Sequence, residues 1–325
     1  MRNRPLIALP FAALLMLPCA SHGQVEGTFT LPNSVLLFQT RVPGVSGEPL
    51  LVVSAAGTVV VREPDGFLGQ ISTPVPALAP TADRVAWGLS LHDDTRKERY
   101  RSVLGVYSLL DKTWKTYGDF CWGSGIGSKV FSPDGTKIAF TSQAASSSEN
   151  RLCDFNPSVL QILDIATGKL TPVPYSGYVI ENARLSWSPD GKYLAGEFWR
   201  SQSTSQIVVI DLESGSGKVI ADGTDPSWSP DGDWIAYGDQ MKQKCILIHP
   251  DGSGAKLVRD LSKRRGGVWL SAGGALWSPD EKKLLFDDVQ VDSLGDVTIL
   301  DLPSGKETKL PRRSRFVWGW AAERR

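Results

Sequence analysis

Histidine is nearly missing from this chain: three in 325 residues. That leaves too few imidazoles for a His-rich metal centre, and few bases for a hydrolase triad. Net charge is also missing. Lysine plus arginine and aspartate plus glutamate both number 35. A balanced chain has no general attraction for nucleic acid and no long-range field to steer a charged partner. Cysteine is sparse at four, so this is no disulfide-dense mini-scaffold. Beyond the N-terminus no run approaches the ~18 apolar residues of a membrane-spanning helix. No Gly-x-Ser-x-Gly elbow is present, and the glycine-rich stretches lack the contexts that phosphate loops need. Glu213–Lys218 has no Ser or Thr after its lysine, and Gly123–Ser128 does not open a helix after a strand. What is plentiful is Gly (32), Pro (21) and Trp (11). Many turns between well-packed short strands would use that composition.

Residues 1–23 read as an export signal. Arg2 and Arg4 form a positive start, Leu6–Leu17 is a short apolar run, and Ser21 and Gly23 are small residues before a cleavage point at Gln24, with His22 as the other candidate. Pro18 ahead of Cys19 fits a lipidation box poorly, so soluble export is expected. Cleavage would leave a net charge of −2 and three cysteines, Cys121, Cys153 and Cys245. Expected organisation is then a signal over 1–23, a short segment over 24–34, one β domain over 35–320 and a basic tail over 321–325. Periplasmic or secreted localisation follows.

One element recurs. It appears as Phe131-Ser-Pro-Asp-Gly, Trp187-Ser-Pro-Asp-Gly, Trp228-Ser-Pro-Asp-Gly and Trp277-Ser-Pro-Asp-Glu, each followed by an apolar run such as Ile138-Ala-Phe140. A decayed copy is Ala79-Pro-Thr-Ala-Asp83. The prolines are spaced by 53, 56, 41 and 49 residues, the size of one four-stranded propeller blade with variable loops. The aromatic ends a strand and packs between sheets, proline presets φ, aspartate bonds the backbone two residues on, and glycine supplies φ > 0. Glu281, in the glycine position, predicts a changed or strained turn. Downstream of each copy lies a hairpin, as in Val159–Lys169, Ile207–Gly215, Cys245–Gly252 and Val297–Lys306. Strand order is therefore A, Ser-Pro-Asp-Gly turn, B, variable loop, C, second turn, D.

These repeats resemble the WD40-like (PD40) repeats of TolB-type six-bladed β-propellers, over roughly residues 35–320. The resemblance implies an all-β fold of a single propeller, a bacterial envelope setting and a protein partner. Six blades are expected, the sixth closed by Val35–Phe38 and following strands together with Phe316–Trp320 as a lone strand A; seven is the alternative. TolB proteins carry an α/β domain ahead of the propeller, for which only about ten residues precede the first strand here. Some peptidases carry a catalytic domain after such a propeller, and this chain stops at Arg325, too soon for one. Propeller lyases use several histidines and a metal, a supply this sequence lacks.

The D-to-A and B-to-C connections share one face of a propeller, and variable loops on a rigid scaffold are where binding concentrates. The longest such segments are Leu91–Arg101, Ser142–Ser158, Phe198–Ser205 and Asp287–Gly295. Candidate binding residues on this face are Phe120, Trp122, Phe198, Trp199 and Arg200, with Trp269 in a D-to-A connection, because aromatic and arginine side chains carry most interface energy. The competing role for these rings is packing between blade tops. Cys121 and Cys153 fall on this face within one blade, which predicts a disulfide worth about 3–4 kcal/mol in the chain-entropy view. Cys245 begins a strand and is expected buried and free. His92 with Asp93 and Asp94 reads as a polar loop, His249 as part of a turn. The Lys263-Arg-Arg265 loop with Arg259, and the arginines from Arg312 on, read as solvated basic segments.

The expected function is that of an exported, non-enzymatic binding or scaffolding module for a cell-envelope protein, monomeric, with no cofactor, no metal and no nucleic-acid partner. The alternative is a propeller enzyme, lyase or hydrolase, working on a carbohydrate or peptide in the channel. Convergent carboxylates or arginine at the channel mouth would favour the enzyme; a broad aromatic face would favour a protein partner.

Overall fold

A computed structural model of the protein describes residues 30–39, 49–64, 67–68, 75–92, 100–120, 126–142, 159–175, 184–201, 204–239, 243–262, 268–290, 297–310 and 316–323. Within them the chain forms six antiparallel sheets and no helix. The first three strands are β1 (Ser34–Gln39), β2 (Leu50–Ser54) and β3 (Gly57–Val61). The next sheet joins β4 (Phe67–Leu68) and β5 (Ala77–Leu78), both paired to β6 (Arg84–His92), then β7 (Tyr100–Ser108) and β8 (Thr113–Phe120). Blade three is β9 (Ile126–Phe131), β10 (Lys137–Ser142), β11 (Val159–Asp164) and β12 (Leu170–Pro172). Blade four is β13 (Leu185–Trp187), β14 (Tyr193–Ser201), β15 (Thr204–Asp211) and β16 (Gly217–Asp222). Blade five is β17 (Thr224–Trp228), β18 (Ile235–Asp239), β19 (Lys244–Ile248) and β20 (Lys256–Asp260). Blade six is β21 (Val268–Trp277), β22 (Lys283–Gln290), β23 (Val297–Asp301) and β24 (Glu307–Leu310).

The last strand, β25 (Phe316–Ala322), returns to the first sheet and pairs with β1, Ser34 opposite Ala322 and Gln39 opposite Phe316. Sheet order is then β25-β1-β2-β3, so blade one takes its innermost strand from the other end of the chain. Six blades closed in this way leave no inner edge open between blade six and blade two.

Each repeat turn works as its residue types require. Asp134 accepts from the Thr136 amide at 3.0 Å, Asp190 from Lys192 at 3.0 Å, Asp231 from Asp233 at 3.1 Å and Asp280 from Lys282 at 3.3 Å. The serine before each proline bonds the aspartate through its hydroxyl and receives the amide five residues on, as Lys137 to Ser132 at 2.9 Å. The aromatics that open each copy, Phe131, Trp187, Trp228 and Trp277, are buried. Blades lock together through them: Trp277 Nε1 donates to the Ser227 carbonyl at 2.9 Å, and the Trp228 amide to Ser186 Oγ at 2.8 Å. Fully buried Trp87, Phe38, Phe140 and Phe286 fill the sheets' interfaces, each such side chain contributing about 1.5–3 kcal/mol.

Glu281 keeps the turn of its glycine-bearing relatives. Its amide donates to Ser278 O at 2.9 Å, as Gly135 does to Ser132 at 2.8 Å, but at φ 63°, where an L side chain is strained. Ala82 in the decayed copy sits at φ 53° for the same reason. Glu281→Gly is therefore expected to raise stability by about 1 kcal/mol, read as a higher melting temperature; a fall would show that the side chain contributes more than the strain it carries.

Candidate channel site

The innermost strands of successive blades meet in a ring, β25 with β5, β5 with β9, β9 with β13, β13 with β17, β17 with β21 and β21 with β25. They wall the channel a propeller encloses. Four charged residues from three neighbouring blades lie on or next to these strands. Arg184 stands immediately before β13, Asp225 is on β17, Glu197 on β14 and Asp287 on β22. The register of the repeat explains the gathering. Arg184 and Asp225 both lie five residues before a repeat proline, and Glu197 and Asp287 both lie eight residues after one. Blade three has Ser128 and Thr141 at those places, both buried. Equivalent positions thus carry charge only in blades four to six among the clear copies.

The contacts are specific. The Asp225 amide donates to Glu197 Oε2 at 3.3 Å, across from blade five to blade four. The Val317 amide donates to Asp287 Oδ2 at 3.4 Å, tying blade one to blade six. Arg184 lies within electrostatic reach of both Asp225 and Asp287. Its Nη1 is shielded from water and has no hydrogen-bond partner among the described residues. Arg184 and Glu197 are half-buried, whereas Asp225 and Asp287 are buried. Asp225 also holds φ 53°, a conformation that costs an L residue about 1–2 kcal/mol. Strain at a buried charged residue is a recurring mark of functional sites.

Electrostatics follow from burial. Desolvation pushes the Asp225 carboxyl up to about 7; Arg184 opposes the rise and Glu197 adds to it. Burial also raises Glu197, against hydrogen bonds from Ser205 and the Asp225 amide. Burial lowers Arg184, offset by Asp225 and Asp287. On blade three, Lys129 is pulled down to about 7 by burial, with its Nζ donating to the Val75 carbonyl at 2.8 Å. Perturbed, converging groups of this kind mark candidate sites. None of the four was singled out from the sequence. The available signal was charge at repeat positions where blade three carries only Ser and Thr.

The residues proposed from the sequence are scattered differently. Phe120, at the end of β8, is buried edge-on against Phe140 at 5.5 Å, and Phe198 is buried edge-on against Tyr175 at 4.9 Å. Both rings thus pack in the core. Phe198, Trp199 and Arg200 lie within β14 rather than in a loop, because that strand runs to Ser201 and β15 starts at Thr204. Trp269 lies within β21 rather than in a connection, opposite Val289. Trp122, Cys121 and Cys153 lie outside the described residues. Cys245 is buried and free, its thiol pushed to about 12 by burial. His249 stacks on Trp234 at 4.0 Å, with Nδ1 2.8 Å from the Asp233 carbonyl. Arg259 is not part of a solvated loop: it is buried, bonds Glu307 at 2.9 Å and lies over the Phe286 ring.

On the opposite face, a groove of about 670 Å³ separates the turns of blades four and five over Tyr193 and Trp228. Its rim aspartates Asp190, Asp211 and Asp251 each bond their own turn.

No family model matches the chain. An uncharacterised protein of Agrobacterium fabrum, Atu1656, is 28% identical over 159 residues, 47% of this chain and 50% of that one. An uncharacterised peptidase of Bacillus subtilis, YuxL, is 30% identical over 153 residues, 44% of this chain and 22% of the peptidase. The chain spans about half the length of the first curated relative and less of the second. Among solved structures, TolB from Acinetobacter baumannii superposes with a TM-score of 0.61 at 18% identity, covering 89% of this chain and 65% of TolB. The fold is that of a TolB-type six-bladed propeller. An oligogalacturonate lyase from Vibrio parahaemolyticus shares it at a TM-score of 0.52 and 13% identity, over 87% of this chain and 73% of the lyase. At these identities the likeness is one of fold, which hosts unrelated activities.

Proposed function

We propose that this TolB-type propeller is an exported binding module, periplasmic or secreted, that takes a cell-envelope protein at its channel mouth and B–C loops. The observation that carries this reading is the propeller itself, a closed ring of six blades that superposes on TolB with a TM-score of 0.61. A site built on strands needs no ordering when the partner arrives, which favours binding. Trp122, Trp199, Arg200 and Trp269 would add contacts around the mouth, and a Cys121–Cys153 disulfide would fasten one loop there.

A second reading is an enzyme acting on a carbohydrate or peptide in the channel. It is favoured by the neighbouring Glu197 and Asp225 carboxyls and by Asp225 being held at about 7, where a general acid works near neutral pH. Affinity capture from native envelope with residues 24–325 as bait distinguishes the two, run beside turnover of a glycan and peptide panel. The binding reading expects a stoichiometric protein and no turnover. Turnover that Asp225→Asn abolishes, with no protein captured, would overturn it.

A further inference from the structure

We infer that the groove between the turns of blades four and five is an interaction surface for a basic peptide segment, with an arginine side chain seated in it. The groove lies on the face opposite the channel mouth, so it stands apart from the envelope-partner site proposed above.

The groove is a formed cavity of about 670 Å³, within the ~300–1,000 Å³ that holds a drug-sized ligand. Its apolar lining is Tyr193, Val209 and Trp228, with Pro189 and Pro250. The Tyr193 and Trp228 rings are inclined by 27°, with centroids 6.4 Å apart. Trp228 Nε1 donates to the Gly232 carbonyl at 3.0 Å, which holds the indole in place. The two blades are tied across the groove. Lys218 Nζ donates to the Asp251 carbonyl at 2.9 Å, and a Cβ on Gly232 would come within 3.1 Å of the Pro189 ring. The walls are therefore set before anything binds, which lowers the ordering cost.

Charge chooses the occupant. Asp190, Asp211, Asp231, Asp233 and Asp251 line the groove against one cation, Lys218. Particular changes in the repeat produce this excess. The third residue after the repeat aspartate is Lys137 in blade three and Lys283 in blade six. Lys137 lies within electrostatic reach of both turn aspartates of its blade, Asp134 and Asp164. Lys283 does the same for Asp280 and Asp301, with Nζ 3.7 Å from Asp280. That place holds Tyr193 in blade four and Trp234 in blade five. The second residue is Lys192 in blade four and Lys282 in blade six, but Asp233 in blade five. Lys192 still reaches Asp190, and Lys218 and His249 reach Asp251. Among the described residues no cation reaches Asp211, and Asp233 makes no hydrogen bond or ion pair. Glu281 of blade six adds negative charge beside Asp231 and Asp233. What the lining lacks is positive charge and N–H donors, and what it offers besides carboxylates is aromatic surface. A neutral sugar would use the rings and leave the charge unmet. Arginine meets both, because its planar guanidinium stacks on an aromatic face and forks onto carboxylates.

Isothermal titration of the purified protein tests this. The probes are an acetylated, amidated Ala-Arg-Ala-Arg-Ala peptide, its forms with lysine, citrulline or glutamate in place of both arginines, and maltotriose. The arginine peptide is expected to bind one per chain, and the lysine peptide at least about threefold more weakly. Citrulline keeps the shape and loses the charge, so that peptide, the glutamate peptide and maltotriose should show no measurable binding. Affinity for the arginine peptide should fall at least about threefold between about 50 and 500 mM sodium chloride, because the rim carboxylates are exposed and screened. Asp233→Lys places the lysine of blades four and six at an exposed turn position. It should leave melting unchanged and weaken binding about fivefold or more. Asp111→Lys makes the same charge change in blade two and should leave affinity unaltered. Tyr193→Leu should remove the advantage of arginine over lysine. If a variant fails to fold, the citrulline comparison and the salt dependence of the unaltered protein decide. No binding of the arginine peptide, equal binding of the citrulline peptide, indifference to salt or to Asp233→Lys, or binding of maltotriose instead would overturn the proposal; equal binding of the lysine peptide would overturn the guanidinium assignment.

Discussion

Ending the chain after Leu310 is expected to abolish cooperative unfolding altogether. The removed strand, β25, is short, but it is the inner strand of blade one and touches three blades. It pairs with β1 along its length. Trp318 Nε1 donates to Gln39 Oε1 at 3.1 Å and Trp320 Nε1 to Ser34 Oγ at 2.8 Å. Val317, Trp318 and Ala321 are buried, and Val317 packs with Leu36, Phe38 and Leu285. At Gly319 an added Cβ would come within 2.7 Å of the Leu78 Cβ, so the strand lies close against blade two. Asp287 on blade six would lose the Val317 amide. Removal exposes apolar faces on both neighbours and opens the edge of β1. The apolar loss alone is on the order of 5–10 kcal/mol, comparable with the whole stability of a domain. Urea unfolding of the truncated chain should show a broad, non-cooperative change with dye-binding apolar surface. A peptide of residues 316–323 added in trans should restore part of the transition. A sharp transition in the truncated chain, near that of the full one, would mean that closure contributes little.

The blade count was readable because the repeat turn is local chemistry. Serine, aspartate and glycine in that order satisfy each other within five residues, whatever the rest of the chain does. Closure was readable from Phe316–Trp320, an aromatic strand with no turn motif after it. The channel site was not readable in the same way. Arg184 and Glu197 are thirteen residues apart, while Asp287 lies a further ninety on; only the ring brings them together. Attention to loops also misplaced Phe198 and Trp269, because strands B and C of blade four and strand A of blade six run further than their apolar runs suggested. Reading the repeat column by column, rather than blade by blade, exposes the anomaly: a place filled by Ser128 in blade three holds Arg184 in blade four and Asp225 in blade five.

Replacing Asp225 by Asn should make the protein more stable at pH 8 and leave it nearly unchanged at pH 4. Asp225 has a folded pKa of about 7 against an ordinary 3.8. A carboxyl raised on folding holds its proton more tightly in the folded state. Its stabilising contribution is complete below pH ~4 and is lost as pH rises to about 7. The loss across that window is on the order of 4 kcal/mol, because the side chain is buried and little screened. Asparagine mimics the protonated acid, tolerates the positive φ that Asp225 adopts at 53°, and carries no charge to desolvate. It leaves Arg184 with Asp287 still beside it. Lys129 slopes the other way. Its folded pKa of about 7 lies below an ordinary 10.5, so its contribution is complete above pH ~10.5 and falls as pH drops to about 7. Together the two groups place the least stable condition near neutral pH, and Asp225→Asn should remove only the acid-side slope. Urea titrations at pH 4, 6 and 8 check this directly. Destabilisation at pH 8 would mean that the Arg184 attraction outweighs the desolvation of Asp225, and the carboxylate would then be a structural partner. Stabilisation would mean the reverse: a buried charge kept at a cost to the fold.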